Sequence, residues 1–203
     1  KFTVRNLELI QPLAEGGKSL IDVLDHTLSP MGSRLLRRWI LMPLKDQNKI
    51  EERHEVVGHL MQHEELALQL DQSLRQLGDL ERLISRLAVG KINPRELMQI
   101  RYALEAMVPI RELCLASDCT PLNQAGESIE LCQEIRERIA RELKPDPALA
   151  PAKGSVIADG ISPELDELRQ LAYSGKDYLA AIRNREIERT GIPSIKISFN
   201  NVF

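Results

Sequence analysis

LIDVLDHTLSPMGSRLLRRWILMPLKD, residues 20–46, is the stretch that decides how this chain is read. It sets a proline, a glycine, three arginines and the chain's single tryptophan around two turns of aliphatic residues, with no acidic side chain between Leu28 and Lys45. Ser29 and Pro30 open a helix, because serine accepts an orphan backbone N–H at the N-cap and proline next to it lacks only a donor that would be unpaired anyway. Pro43 stops it. Between them Leu35, Leu36, Trp39 and Ile40 recur at helical spacing and are expected to be buried, as the structural core of the segment, while Arg34, Arg37 and Arg38 lie on another face. Gly32 in the first turn costs about 1 kcal/mol relative to alanine, which predicts a tight approach of another backbone.

Outward from this helix the pattern stays helical. Ser19 with Asp22 three residues later reads as a capping box for a short helix over Leu20 to His26. A helix follows Asp46 through Gln62, with Ile50, Val57, Leu60 and Met61 on its apolar side. Glu64–Gln76 and Asp79–Ala88 form two shorter ones. Asn93, Pro94 and Glu96 open another that runs to Leu115, and Glu127–Leu143 repeats the pattern. Residues 144–161 interrupt it with Pro145, Pro147, Pro151, Gly154 and Gly160, a loop with at most a short extended piece near Val156 and Ile157. Ser162 and Pro163 then open the longest helix, with Glu164, Asp166 and Glu167 at the positive end of its dipole. It ends at Gly191 and Pro193 and spans about 40 Å. Its apolar positions Ile161, Leu165, Leu168, Ala172, Leu179 and Ile182 suit pairing with another helix, whereas Arg183, Arg185, Glu186, Glu188 and Arg189 make its far end polar. Over the last eleven residues the period changes: Ile195, Ile197 and Phe199 alternate with Lys196 and Ser198, a strand signature, and a lone strand cannot pair its own backbone. With Lys1 at the front and that unpartnered strand at the back, the sequence reads as a piece of a longer protein. The fold class is therefore mainly all-α: a multi-helix core bundle over 1–161, a long protruding helix over 162–192, and one terminal strand over 193–203.

Composition agrees with an ordinary globular chain, since 43% of 203 residues are hydrophobic and 28% charged; with only 3% aromatic residues the core must be aliphatic. No run of about 18 apolar residues and no basic-then-apolar leader is present, which predicts no membrane segment and a cytoplasmic location. Cys114, Cys119 and Cys132 do not form a disulfide framework and are expected to be reduced. A net charge of −3 argues against strong DNA binding by this stretch alone.

LDHTLSPMGSRLLRRWILMPLKD resembles the opening of the helical core of the MutS family of DNA mismatch-recognition ATPases, and three further blocks agree in order: VRNLELIQPL, LGDLERLISRLAVGKINPREL at 77–97, and ELDELRQLAYSGKDYLAAIRNREIERTGIPSIKISFNNVF at 164–203. The resemblance implies that 1–161 is the helical core, 162–192 the outgoing lever helix, and 193–203 the first strand of the clamp domain. It also implies a role linking a DNA-backbone clamp to a remote ATPase, with the mismatch-reading and ATPase domains absent. By the same resemblance Lys196, Asn200 and Asn201 lie near the clamp entry as DNA-backbone contacts. The longer protein would use ATP and Mg and bind double-stranded DNA with mismatches. It would form a homodimer and engage downstream mismatch repair proteins. No cofactor is expected in this stretch, and it is not expected to be an enzyme. Two other readings compete: a helical protein-interaction scaffold without a nucleic-acid role, and the related branch that lacks mismatch recognition.

Several residues imitate chemistry. Gly17, Lys18 and Ser19 read GKS, the end of a phosphate-binding loop, but the loop needs glycine where Pro12 stands and a hydrophobic strand leading in, so no nucleotide site is predicted. His59 and His63 share a helix face, yet HEELA after His63 breaks the zinc-protease pattern and no third ligand is near in sequence, so no metal site is predicted. The three cysteines lack the paired short spacings of structural zinc. Asp22, Asp25 and His26 point apart on neighbouring helix positions, and no catalytic residue is assigned.

Overall fold

Side-chain N-caps at Ser29, Asp46, Asp79, Asn93 and Ser162 open five of the helices in the computed structural model. The structure describes residues 2–150 and 154–195, and all of their side chains except those of 171 and 173–178. Within those residues the helices are α1 (Phe2–Asn6), α2 (Leu20–Leu24), α3 (Pro30–Leu41), α4 (Gln47–Gln62), α5 (Glu64–Gln76), α6 (Leu80–Ala88), α7 (Pro94–Leu115), α8 (Thr120–Ser128), α9 (Gln133–Glu142) and α10 (Pro163–Thr190). No sheet is present among the described residues, in accord with the all-α expectation; the strand expected over 193–203 lies outside them from residue 196 onward.

The caps are those the sequence announces. Ser29 Oγ accepts the Gly32 N–H at 3.1 Å to begin α3, and Asp46 accepts from Lys49 to begin α4. Asn93 and Glu96 exchange bonds across the start of α7, 2.9 Å from the Glu96 N–H to Asn93 and 3.0 Å from the Asn93 N–H to Glu96. Each bond satisfies a donor that the first helical turn would otherwise leave unpaired.

α7 is the centre of the first unit, and α5, α6, α8 and α9 all pack on it. One apolar cluster joins Leu70, Ile110, Cys114, Cys119 and Leu122, with Val56, Leu60, Leu66 and Leu74 against it. A second joins Leu83, Ile100 and Leu104, with Leu97, Met107 and Cys132 at its edge. α8 lies close to α7 because Gly126 carries no side chain: a Cβ there would stand 2.8 Å from Cys114 Cβ and 3.1 Å from the Leu115 backbone nitrogen.

The structure corrects three expectations here. The segment 127–143 is not one helix: α8 ends at Ser128, and Cys132 adopts a left-handed φ of 44° before α9 starts. On α4 Leu60 packs on the core and Ile50 is half-buried, as expected, while Val57 and Met61 are exposed at 56% and 76% and Val56 takes a core-facing place instead. The quartet Leu35, Leu36, Trp39 and Ile40 is not a buried core either. No residue of α3 is buried; Leu35 and Trp39 are 47% and 39% exposed, and Leu36 and Ile40 are half-buried. The physical reason is that the buried clusters form around α7 and its flanking helices, while α3 is attached by charged and stacked contacts.

The chain divides into two units, with the boundary between Val156 and Ile157. In the first, Lys144 and Ala148 donate to the carbonyls of Val156 and Ser155, the short extended piece expected near Val156. In the second, Arg169 on α10 reaches back to the Ile157 carbonyl at 2.7 Å and to Asp159 at 2.8 Å, and Asp166 accepts the Gly160 N–H at 2.7 Å. These contacts tie 157–162 to the helix it precedes. α10 runs unbroken for 28 residues, about 42 Å, and ends where Gly191 takes a left-handed φ of 71°.

Candidate functional site

The arginine-bearing helix is held at both ends by polar side chains. At its entry Asp25 accepts the Thr27 N–H and hydroxyl, at 3.1 and 2.6 Å, and the Ser33 hydroxyl. The Ser33 and Thr27 bonds keep the Asp25 carboxyl below its ordinary pKa. The close neighbour at Gly32 is a side chain of the preceding loop and not another backbone: a Cβ there would come within 3.2 Å of Thr27 Cβ. The loop 25–29 is thereby folded onto the first turn of α3.

Arg34 joins α3 to carboxylates 45 and 47 positions further along the chain. Its guanidinium bonds to Asp79 through Nη1 at 3.0 Å and Nη2 at 2.6 Å, and to Glu81 through Nε at 2.8 Å. Asp79 is also the N-cap of α6, accepting from the Arg82 N–H at 3.2 Å. The bonds from Arg34 lower the Asp79 pKa, and those from Asp79 and then Glu81 raise that of Arg34. A planar fork matched to two carboxylates fixes direction as well as distance, which a lysine would not do. Further along α3, the Arg53 guanidinium lies 3.5 Å from the centroid of the Trp39 ring. Arg37 and Arg38 are exposed.

Ser19 does not belong to a phosphate loop. It is 1% exposed, and its hydroxyl and backbone N–H both donate to Asp22, at 2.7 and 2.9 Å. Those bonds, the hydroxyl's first, lower the Asp22 pKa. A Cβ on Gly17 would sit 3.0 Å from Pro12 Cβ. With the serine hydroxyl engaged and the backbone closed against Pro12, these residues do not fit a nucleotide or its magnesium. Asp22 and Asp25 serve separate turns and form no acid/base pair.

His59 and His63 stack with ring centroids 4.0 Å apart. The third group that is missing locally in sequence comes from the loop after α7, where Asp118 Oδ1 lies 3.6 Å from His59 Nδ1. Cys114 and Cys119 are buried apart from Cys132, and all three are free thiols. Lys196, Asn200 and Asn201 lie outside the described residues. No helix among the described residues is long and apolar enough to cross a membrane.

Comparison with known proteins adds an independent line. Residues 2–192 match the family model described as MutS domain III. Over its whole length the chain is 53% identical to the DNA mismatch repair protein MutS of Phocaeicola vulgatus, 54% to that of Parabacteroides distasonis and 52% to that of Porphyromonas gingivalis. It spans 23% of the length of each of these relatives.

Proposed function

The chain belongs to the MutS domain III family, and we propose from that membership that it is part of a DNA mismatch repair protein whose helical core and outgoing lever link a DNA-backbone clamp to a remote ATPase. The observation that carries the mechanical half of this reading is α10. Twenty-eight residues without a break, capped by Ser162 and Gly191 and rooted through Arg169 in its own leading loop, make a rod that passes displacement along its length instead of bending. Its root is stiff because one guanidinium ties three points of the backbone and side chains together, and its C-terminal half is rich in charge, suited to a solvated shaft.

In this reading the α3 junction with α6 keeps the core rigid, so that motion at the lever is not dissipated in the helices around it. ATP and Mg belong to another part of the longer protein, since the GKS stretch does not accept them. Lys196, Asn200 and Asn201 contact DNA phosphates and give register without reading bases. Homodimer formation and recruitment of downstream repair proteins are properties of the assembled protein.

The test is made in the full-length parent. Ala181→Pro breaks α10 about two thirds of the way along it; basal ATP hydrolysis is expected to survive while its response to mismatched duplex is lost. An unchanged mismatch response in that variant would remove the lever from the mechanism. Lys196→Ala is expected to weaken binding to matched and mismatched duplex alike and to reduce the salt slope by about 1.

A further inference from the structure

We propose that His59, His63 and Asp118 form a binding site for a divalent transition-metal ion of the Zn2+ class. One ring nitrogen of each histidine and a carboxylate oxygen of Asp118 all lie within 4.8 Å of one another. An ion with bonds of about 2.0–2.1 Å holds tetrahedral ligands about 3.3 Å apart, and the His59 Nδ1 to Asp118 Oδ1 separation is already 3.6 Å. Asp118 is 88% exposed and is free to make the remaining approach by rotating about its side-chain bonds, while His59, only 12% exposed, is the fixed member.

The contacts behind the ligands are in place. His63 Nδ1 stands 2.9 Å from the His59 carbonyl, which can only accept; Nδ1 therefore bears the proton and Nε2 the lone pair. His59 Nε2 is 3.1 Å from Ser117 Oγ, whose oxygen also accepts the Cys119 N–H at 3.1 Å. In the tautomer that donates Nε2–H to the second lone pair of Ser117 Oγ, His59 Nδ1 is the acceptor facing Asp118. Ligating histidines are held in this way, with the other ring nitrogen committed to a carbonyl or hydroxyl. Leu66, Leu113 and Ala116 complete the walls of the cleft.

Two imidazoles with one carboxylate favour Zn2+, Co2+ or Ni2+ over Mg2+ or Ca2+, which prefer all-oxygen sets. The fourth position opens to solvent and takes water. A bound ion would fasten the α4–α5 corner to the loop between α7 and α8 more firmly than the His59–Ser117 hydrogen bond alone. The inference stands apart from the reading of the chain as a lever and survives its failure.

The metal-free 203-residue chain is titrated with Zn2+ against a chromophoric chelator and with Co2+ by visible absorption. One equivalent is expected, raising the melting temperature, with Co2+ d–d bands and no thiolate charge-transfer band. His63→Gln and Asp118→Asn, both at exposed positions, are each expected to weaken binding at least roughly tenfold, the loss that even an outer-shell contact brings. Cys119→Ser is expected to leave it unchanged. Absence of Zn2+ and Co2+ binding overturns the proposal. So does undiminished affinity in both exposed-ligand variants, or a thiolate band that disappears with Cys119→Ser, which would assign the ion to cysteine.

Discussion

Arg34 and Asp79, 45 residues apart in sequence, are joined by two hydrogen bonds of 3.0 and 2.6 Å, and the Oδ1 that accepts the shorter one also accepts the N–H of Arg82. A single carboxylate thus starts α6 and anchors α3. Asp79→Ala removes both functions and is expected to cost about 1 kcal/mol from the cap alone. Asp79→Asn keeps a capping oxygen and loses the charge, and its cost is expected to be smaller. Urea denaturation of the two variants separates cap from charge pair; equal losses would show that the cap contributes nothing. Because the bonds from Arg34 lower the Asp79 pKa in the folded state, its contribution is present above the unfolded value of about 3.9 and is lost as pH falls through the lowered folded value. Asp79→Asn is expected to flatten the acid limb of the stability curve in that window and to leave neutral pH dependence alone.

Two helical glycines are expected to respond to alanine with opposite sign. Gly58 has nothing within 4 Å of a Cβ, so Gly58→Ala gains helix propensity and stabilises by about 0.5–1 kcal/mol. Gly126→Ala gains the same propensity but drives a methyl against Cys114 Cβ at 2.8 Å and backbone at 3.1 Å. Overpacking of that kind costs about 1–3 kcal/mol, and neither neighbouring atom lies at the end of a flexible chain. Thermal melts of both variants check the sign; stabilisation by Gly126→Ala would show that α8 can shift away from α7.

What was legible in the sequence was whatever is decided within a turn or two. Ser29 with Pro30, Asn93 with Glu96 and Ser162 with Pro163 announce helix starts because the capping atoms come from residues beside the donors they satisfy. The all-α class follows from the same signals. What depends on partners distant in the chain was not legible. Val56 instead of Val57 faces the core because Leu70 and Cys119 lie on that side, a fact with no trace in the local periodicity. Leu35 and Trp39 read as core by spacing, yet burial requires an opposing apolar surface, and within the described residues α3 meets a carboxylate pair and a guanidinium. The break at Cys132 was hidden because a left-handed residue there is neither glycine nor asparagine. The histidine pair looked incomplete for a related reason: the residues that complete its surroundings come from a loop 58 positions from His59 to Ser117.

The three thiols should differ sharply in reactivity. Cys114 and Cys119 are each 4% exposed, and burial pushes the Cys114 thiol pKa up, which lowers its thiolate fraction further. Cys132 is half-buried, at the edge of its cluster. Titration with a thiol-specific disulfide reagent under native conditions is expected to show one reactive cysteine, removed by Cys132→Ser. The other two should react only when urea unfolds the chain; rapid modification of Cys114 in the native state would mean that α7 and α8 open readily.

Trp39, as the single tryptophan, reports on the contact that α3 makes with Arg53. At 39% exposure its ring is partly wet, and the Arg53 guanidinium 3.5 Å from its centroid covers part of the face. Arg53→Ala uncovers that face and is expected to raise the acrylamide quenching constant of the native protein, with a stability loss of about 0.5–1 kcal/mol. Arg53→Lys separates the two possible contributions. An ammonium retains the charge but loses the planar stacking surface that excludes the quencher, so quenching in Arg53→Lys should approach that of Arg53→Ala. If the lysine variant instead protects the indole as well as arginine does, the contact is one of charge alone and stacking geometry has no part in holding α3 to α4.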